Sequence, residues 1–196
     1  MHYIEAIANY NPENEQERQD QKAILNYIRA FPHNVLLREN AIAHITSSGF
    51  IMNERLDRVL LVHHNIRGTW AWTGGHADGD GDLLAVAVKE AKEETGVQTI
   101  RPLSPHIASV DIFPVFGHWK QGVYVNAHLH LSIAYLLIAD EREELVVNEA
   151  ENSGVNWFPV TYFTEEHFER HDLELYTKLI HRARRLKFEN NMLTLL

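Results

Sequence analysis

Apolar side chains recur along the first part of the chain at the spacing of a helix. Before Pro32 they lie three or four residues apart, at Ala23, Ile24, Tyr27, Ile28 and Phe31. This spacing predicts a helix that begins at Asn11-Pro12, where Asn is a good cap and Pro suits the first helical position, and that ends at Pro32. We therefore expect residues 1–40 to form a helical arm packed on a main domain of residues 41–196.

Runs of apolar and β-branched residues predict strands in the main domain. Residues 44–52 and 58–63 flank a polar stretch, which is typical of a hairpin. Further strands are predicted at 70–72, 107–115, 125–139 and 157–160.

Helices are predicted between and after these strands. One covers 82–94, with Asp82 as its N-cap and Gly96 just past its end, and two more cover 165–170 and 172–186. Because strands both precede and follow the central helix, the predicted fold class is α+β or α/β with a mixed sheet.

The composition narrows the classes of function. Asp and Glu outnumber Lys and Arg by 27 to 18, and this acidic balance argues against an extended nucleic-acid footprint. The chain has no Cys, which excludes a disulfide framework, a thiolate zinc site and a cysteine nucleophile. We expect no membrane span, since the longest apolar stretch, 133–139, is far too short. A cytoplasmic protein is the expectation.

The predicted central helix concentrates negative charge on one face. At about 100° per residue, Glu90, Glu93 and Glu94 fall within an arc of roughly 100°. Like charges at this spacing cost about 0.2–0.5 kcal/mol per pair, and anions near a helix C-terminus oppose its dipole. Mg²⁺ or Mn²⁺ would compensate, because hard divalent cations take carboxylate oxygens. The alternative is a solvated acidic face. Packing on the sheet is expected through Leu84, Val88, Ala91 and Thr95.

A glycine-rich turn precedes that helix and favours a ligand. Its glycines permit a positive φ and a close approach of backbone to an ion or phosphate; they are Gly74, Gly75, Gly79 and Gly81. An EF-hand loop is excluded, since Leu83 and Lys89 stand where that motif needs Gly and a bidentate Glu.

The stretch from Gly75 to Val97 resembles the signature of the Nudix hydrolase family, G-x5-E-x7-R-E-U-x-E-E-x-G-U, where U is a bulky aliphatic residue. The positions that match are Gly75, Glu90, Glu93, Glu94, Gly96 and Val97. Three positions differ: Gly81 replaces Glu, Lys89 replaces Arg, and Ala91 replaces a larger aliphatic residue. Asp80 or Asp82 could take the place of the missing acid beside Lys89. The resemblance covers about residues 44–163.

This resemblance implies an α/β/α sandwich around a mixed sheet. It also implies hydrolysis of a nucleoside diphosphate linked to another group, with Mg²⁺ or Mn²⁺. Glu90 and Glu94 would be the principal metal ligands, Glu93 a further ligand or a holder of water at the metal, and the carbonyl of Gly74 or Gly75 an additional ligand. Glu151 resembles the distal acidic residue that binds metal or activates water, with Glu149 as the alternative.

Other features leave alternatives open. His128 and His130 share one strand face, and either line the substrate pocket or form an exposed or hydrogen-bonded pair. Cations late in a helix favour its dipole, and a phosphate-binding role is the alternative for those of the last helix: Lys178, Arg182, Arg184, Arg185 and Lys187. The departures at Gly81 and Lys89 keep open a non-catalytic nucleotide or ADP-ribose-type sensor. The N-terminal helix offers a surface for a homodimer, and the partner expected is a small-molecule nucleoside diphosphate derivative.

Overall fold

A long central strand organises the fold. The computed structural model describes residues 2–120 and 122–193. The helices are α1 (Tyr3–Ala8), α2 (Glu15–Ala30), α3 (Leu83–Thr95) and α4 (Arg170–Leu193), with a 3₁₀ turn at Val160–Tyr162. The strands are β1 (Ala43–Asn53), β2 (Arg58–His64), β3 (Thr69–Ala71), β4 (Thr73–His76), β5 (Arg101–Pro102), β6 (Ser109–Val115), β7 (His118–Lys120), β8 (Val123–Val125), β9 (His128–Ala139) and β10 (Asn152–Pro159).

The main sheet is mixed, with eight strands. Its path is β10-β2-β1-β9-β5, while β3 pairs with β2, β4 with β1 and β6 with β9. All residues of β1 are buried, and β1 runs parallel to β9 but antiparallel to β2 and β4. The predicted hairpin of β1 and β2 is confirmed, and β7 pairs with β8 in a small separate hairpin.

Helices cover both faces of the sheet. Because successive strand residues face opposite sides, Ile45 and Ile51 of β1 pack in one core with α2 and α3, while Phe50 and Met52 pack in another with α4. The predicted α/β/α arrangement around a mixed sheet is therefore confirmed. Among the described residues, no helix has the length and apolar character that a membrane span requires.

Two predicted helix features are wrong. The cap of α2 is Asn14, whose side chain accepts a hydrogen bond from the backbone N–H of Glu17 at 2.8 Å, and Asn11-Pro12 lies outside the helix. Residues 165–169 form a turn rather than a helix, because Phe168 bends inward to pack its ring against Phe163 and Tyr176.

A buried ion cluster ties the N-terminal arm to the last helix. Glu17 of α2 is fully buried and accepts hydrogen bonds from Arg182 of α4 at 2.7 and 2.8 Å. Lys178 Nζ lies 2.9 Å from a Glu17 carboxylate oxygen and 3.0 Å from one of Asp111. Because α4 continues to Leu193, Lys178 and Arg182 lie in its first half and middle, so these cations join two helices and do not complement the C-terminal end of the dipole as expected.

Candidate active site

Both ends of α3 are fixed as the sequence predicts. The Asp82 carboxylate accepts a hydrogen bond from the backbone N–H of Ala85 at 3.0 Å. Gly96 has a φ of 77°, and its N–H donates to the carbonyl of Lys92. A left-handed residue at this position favours glycine, so the predicted cap and stop are both confirmed.

The face of α3 that packs on the sheet is rotated from the expected one, although Ala91 and Thr95 are buried as predicted and Leu84 and Val88 contact the edge of the core. Leu83, Ala87, Ala91 and Thr95 are buried, whereas Leu84 and Val88 are only partly buried. This rotation turns Glu94 into the protein, where its side chain is buried, and turns Glu93 outward, where its side chain is 53% exposed. The carboxylates of the motif therefore lie in different surroundings.

Three carboxylates converge beside α3. Glu90, Glu94 and Glu151 each offer one oxygen within 4.8 Å of the others. Glu93 is outside this group: Lys89 Nζ lies 3.7 Å from its carboxylate and 3.7 Å from that of Glu90. The expected partners of Lys89 were wrong, since Asp82 caps α3 and Asp80 accepts from the N–H of Asp82.

The environment of this cluster disfavours negative charge. Burial raises the pKa of Glu94 to about 9, with smaller contributions from Glu151 and Glu90, against a hydrogen bond from the Gly74 N–H. Burial also raises the pKa of Glu90, although Lys89 opposes the shift. Glu94 Oε2 is buried without a hydrogen-bond partner. Oxygens held this way fit a cation, which would complete their coordination.

Gly74 and Gly75 allow the close contacts that shape the site. A Cβ on Gly75 would lie 2.3 Å from the carboxyl carbon of Glu90, and one on Gly74 would lie 2.5 Å from Ser48 Oγ. Of the four glycines in the turn, Gly79 is the one with a positive φ, at 92°. Gly79 therefore has the expected positive φ, whereas Gly74 and Gly75 allow the Ser48 and Glu90 side chains to lie close to the backbone.

The Glu151 loop is held against the sheet and α3. The backbone N–H of Asn65 donates to the Glu151 carbonyl at 3.0 Å, and the Asn65 side chain donates to the Glu149 carbonyl at 3.1 Å. Next along the chain, Asn152 Nδ2 donates to the carbonyl of Glu94 at 3.0 Å. These bonds bring Glu151 to the cluster, and Glu149 is not part of it.

Sequence patterns did not identify Arg38 as a neighbour of this site. Its guanidinium donates to both carboxylate oxygens of Asp78, at 2.8 and 2.6 Å. Asp78 raises the pKa of Arg38 most, and Glu90 and Glu151 add to the effect, so a fixed positive charge lies near the cluster. The segment before β1 carries no motif, and only the fold brings it here.

His128 and His130 lie together with two further histidines. His44 and His76 complete a group of four imidazoles near the start of β9. Burial is the largest cause of the low pKa values of His76, about 3, and His130, about 2, and Arg38 and His44 lower both. The H-x-H spacing is visible in the sequence, but the other two members are not.

Comparisons with known proteins agree on one family. The model described as the NUDIX domain matches residues 43–179. Nudix hydrolase 8 of Arabidopsis thaliana is 26% identical over 142 residues, which cover 70% of this chain but only 35% of that protein.

Among solved structures, a NUDIX-family hydrolase from Clostridium perfringens is 20% identical with a TM-score of 0.49, covering 70% of this chain and 96% of that one. A MutT protein from Bacillus halodurans is 19% identical with a TM-score of 0.48, covering 70% and 82%.

Proposed function

The chain belongs to the Nudix hydrolase family, and on this premise we propose that it hydrolyses a diphosphate linkage in a nucleoside diphosphate derivative with a divalent cation. The observation that carries the proposal is the convergence of Glu90, Glu94 and Glu151 within 4.8 Å. Glu94 Oε2, buried and without a partner, supports a bound cation over a merely solvated acidic face.

We assign the principal ligand positions to Glu90 and Glu94, with Glu151 and the Gly75 carbonyl beside them. A bound Mg²⁺ or Mn²⁺ would supply Lewis-acid chemistry, polarising a phosphoryl oxygen and acidifying water. The Gly74 N–H holds the Glu94 carboxylate in place, and Asn152 fixes the carbonyl of the same residue. Glu93 stays a prediction as a further ligand, because its side chain lies outside the cluster beside Lys89.

The proton chemistry is assigned to Glu151. Its side chain is exposed, whereas Glu94 is buried, so Glu151 is the carboxylate of the cluster with access to a water molecule. A positioned carboxylate that takes the proton from attacking water contributes about 10²–10⁴-fold to a rate. Breaking the anhydride then leaves two phosphate-bearing products.

A diphosphate suits the charges around the cluster. Arg38 contributes a fixed positive charge near Glu90 and Glu151, and Lys89 adds a mobile one beside Glu90. An anionic diphosphate would be attracted to these cations and, through the bound ion, to the carboxylates. The group attached to the diphosphate is set by loops outside the motif.

Several expectations from the sequence stay predictions. These are the choice between Mg²⁺ and Mn²⁺, a cytoplasmic location, the absence of an extended nucleic-acid partner, homodimer formation through the N-terminal helix, and contact of His128 and His130 with substrate.

A panel of nucleoside diphosphate derivatives tests the proposal. The panel should include ADP-ribose, nucleotide sugars and dinucleoside polyphosphates, each incubated with Mg²⁺ or Mn²⁺ in ¹⁸O-labelled water, with products identified by mass. We expect one phosphate product to carry the label. Tight binding of a panel member without any turnover would instead make the domain a nucleotide sensor.

A further inference from the structure

The four histidines gather at one end of three neighbouring strands. His44 lies near the start of β1, His76 ends β4, and His128 and His130 begin β9. One ring nitrogen of each lies within 4.8 Å of those of the others. The centre of the His44 ring lies 4.9 Å from that of His76, 4.9 Å from that of His128 and 5.4 Å from that of His130. This group is called the histidine cluster below.

Strand register places the whole cluster on one face of the sheet. His44 pairs with His130 across β1 and β9, and Thr46 pairs with His76 across β1 and β4. Residues two apart in a strand share a face, so His44 faces the same side as Thr46, and His128 the same side as His130. The neighbouring Gly75 faces the other side, toward Glu90. The histidine cluster is therefore separate from the glutamate cluster.

Hydrogen bonds to backbone carbonyls set the tautomer of two neutral rings of the cluster. His44 Nδ1 lies 3.0 Å from the Asn40 carbonyl, and His128 Nδ1 lies 2.9 Å from the Asn126 carbonyl. Because a carbonyl oxygen only accepts, each Nδ1 carries the proton and each Nε2 carries a lone pair. This outer hydrogen bond from a ring N–H to a carbonyl is typical of metal-ligating histidines.

His44 provides an independent sign that a ligand is missing from its surroundings. Its side chain is 4% exposed, and its Nε2 is buried without a hydrogen-bond partner. That nitrogen belongs to the residue that contacts all three other rings. A buried lone pair with no donor is costly, and a cation at the centre of the cluster would satisfy it.

The nitrogen spacing suits a tetrahedral ion. His128 Nε2 and His130 Nε2 are 3.2 Å apart, so without a cation the neutral His130 donates its Nε2–H to the lone pair of His128, and a cation would replace that proton. Two imidazole nitrogens bound to a tetrahedral Zn²⁺ at about 2.0–2.1 Å would be about 3.3–3.4 Å apart. The other nitrogens lie within 4.8 Å of one another and would move inward by about 1 Å to reach that spacing, through rotation of the half-buried rings of His76, His128 and His130.

The chemistry of the donors selects the metal. Neutral imidazole suits Zn²⁺ and its transition-metal neighbours, whereas Mg²⁺ and Mn²⁺ prefer oxygen ligands. The positive charge of Arg38 disfavours a cation in the cluster, whereas the negative charge of Asp78 favours a cation. The two residues form an ion pair, so their charges offset each other. Four nitrogen ligands also close the coordination shell, so no position is left for substrate.

We propose that His44, His76, His128 and His130 bind one Zn²⁺ ion in a closed structural site that joins the ends of β4, β1 and β9. This site is additional to the glutamate cluster and does not depend on the proposed function. In this proposal the imidazoles of His128 and His130 contact the metal, which is the alternative to their predicted contact with substrate.

Zinc binding to the full chain tests the proposal. The protein is treated with EDTA, dialysed, and titrated with ZnCl₂ by calorimetry in a large excess of Mg²⁺, which occupies carboxylate sites. We expect one equivalent of Zn²⁺ to bind and to raise Tm. Co²⁺ in place of Zn²⁺ is expected to give the intense visible absorption of a tetrahedral nitrogen site, an assay that needs no variant.

Variants locate the ion. Loss of an outer partner of a ligand costs about 10–100-fold in metal affinity, so His130→Gln and His128→Gln are each expected to weaken zinc binding at least about 100-fold. His181→Gln, an exposed histidine of α4, is the matched control. The double variant Glu90→Gln with Glu94→Gln is expected to keep the zinc site. No tetrahedral Co²⁺ spectrum, or zinc affinity unchanged in both cluster variants, would overturn the proposal.

Discussion

Glu94 is a carboxylate in surroundings that disfavour its negative charge when no metal is bound. Its carboxylate is buried, close to Glu90 and Glu151, and one of its oxygens has no partner. Burial and the two neighbouring charges disfavour ionisation and raise the pKa of Glu94 to about 9. A residue that destabilises the fold unless a cation is present is better explained by function than by stability.

Replacing Glu94 should therefore separate activity from stability. Glu94→Gln removes a ligand charge and is expected to lower the rate at least about 10²-fold. In EDTA its Tm is expected to equal or exceed that of the wild type, because burial, with Glu151 and Glu90, raises the pKa of Glu94 and makes the fold less stable above the ordinary pKa, and Gln has no such cost. Glu149→Gln, an exposed acid outside the cluster, is the control and is expected to change neither quantity. Near-normal turnover by Glu94→Gln would contradict a metal site and would mean that the three carboxylates form a solvated acidic face.

Gly75 matters because the Glu90 carboxylate lies against its Cα. In Gly75→Ala the new methyl group would displace that carboxylate, which is the flexible end of its side chain, so the fold is expected to persist. Misplacing a catalytic group by about 1 Å costs up to about 10²-fold, and we expect a loss of this order in kcat/KM with little change in Tm.

Gly81→Ala is the matched control for Gly75→Ala. It lies in the same turn, does not have a positive φ, and its Cβ would meet Tyr3 at an ordinary 3.5 Å. We expect wild-type kcat/KM from Gly81→Ala. Equal effects of the two substitutions would mean that the turn tolerates or rejects side chains in general, independent of Glu90.

Glu17 is the buried carboxylate of α2 that pairs with α4, where Arg182 also pairs with Glu13 and Lys178 with Asp111. Removing one partner of a buried ion pair leaves the other uncompensated and costs about 3–5 kcal/mol, so Glu17→Gln is expected to destabilise by that amount in urea unfolding. Glu15→Gln, two residues away and exposed, is expected to have little effect. A loss as small as that of Glu15→Gln would show that the cluster does not hold the arm.

The same carboxylate predicts how stability depends on pH. Burial alone would raise the pKa of Glu17, but hydrogen bonds from Arg182, Lys178 and the Glu13 N–H lower it to about 2. A lowered pKa stabilises the fold above the ordinary value of 4.5, and this stabilisation is lost as pH falls from 4.5 toward 2. Wild type and Glu17→Gln should converge in stability over that range; a constant gap would contradict the assignment.

The helix α3 shows which local features a sequence can predict. Asp82 and Gly96 fix its ends through short-range backbone geometry, and both were predicted correctly. Its rotation on the sheet was not, because Leu84 and Val88 fit a helical stripe as well as Leu83 and Ala87 do, and tertiary packing decides between them. The turn at 165–169 also depends on tertiary packing, since Phe168 is buried in the aromatic core beside α4.

The register between distant strands determines which side chains meet where no sequence motif predicts a contact. The motif predicted Glu90 and Glu94, since their spacing on one helix is local. His44 and His76 meet His128 and His130 only because β1 pairs with β4 and β9 in one register. A shift of one residue would move each side chain to the opposite face, and sequence patterns do not fix that register.

The most direct test of the central claim is the dependence of turnover on a divalent cation. The best substrate of the nucleoside diphosphate panel is assayed after removal of metal with EDTA and again after excess Mg²⁺ or Mn²⁺ is added back. The glutamate cluster predicts no turnover in EDTA and recovery with either ion, because Glu90, Glu94 and Glu151 act by holding it. Full hydrolysis in metal-free buffer would contradict the account.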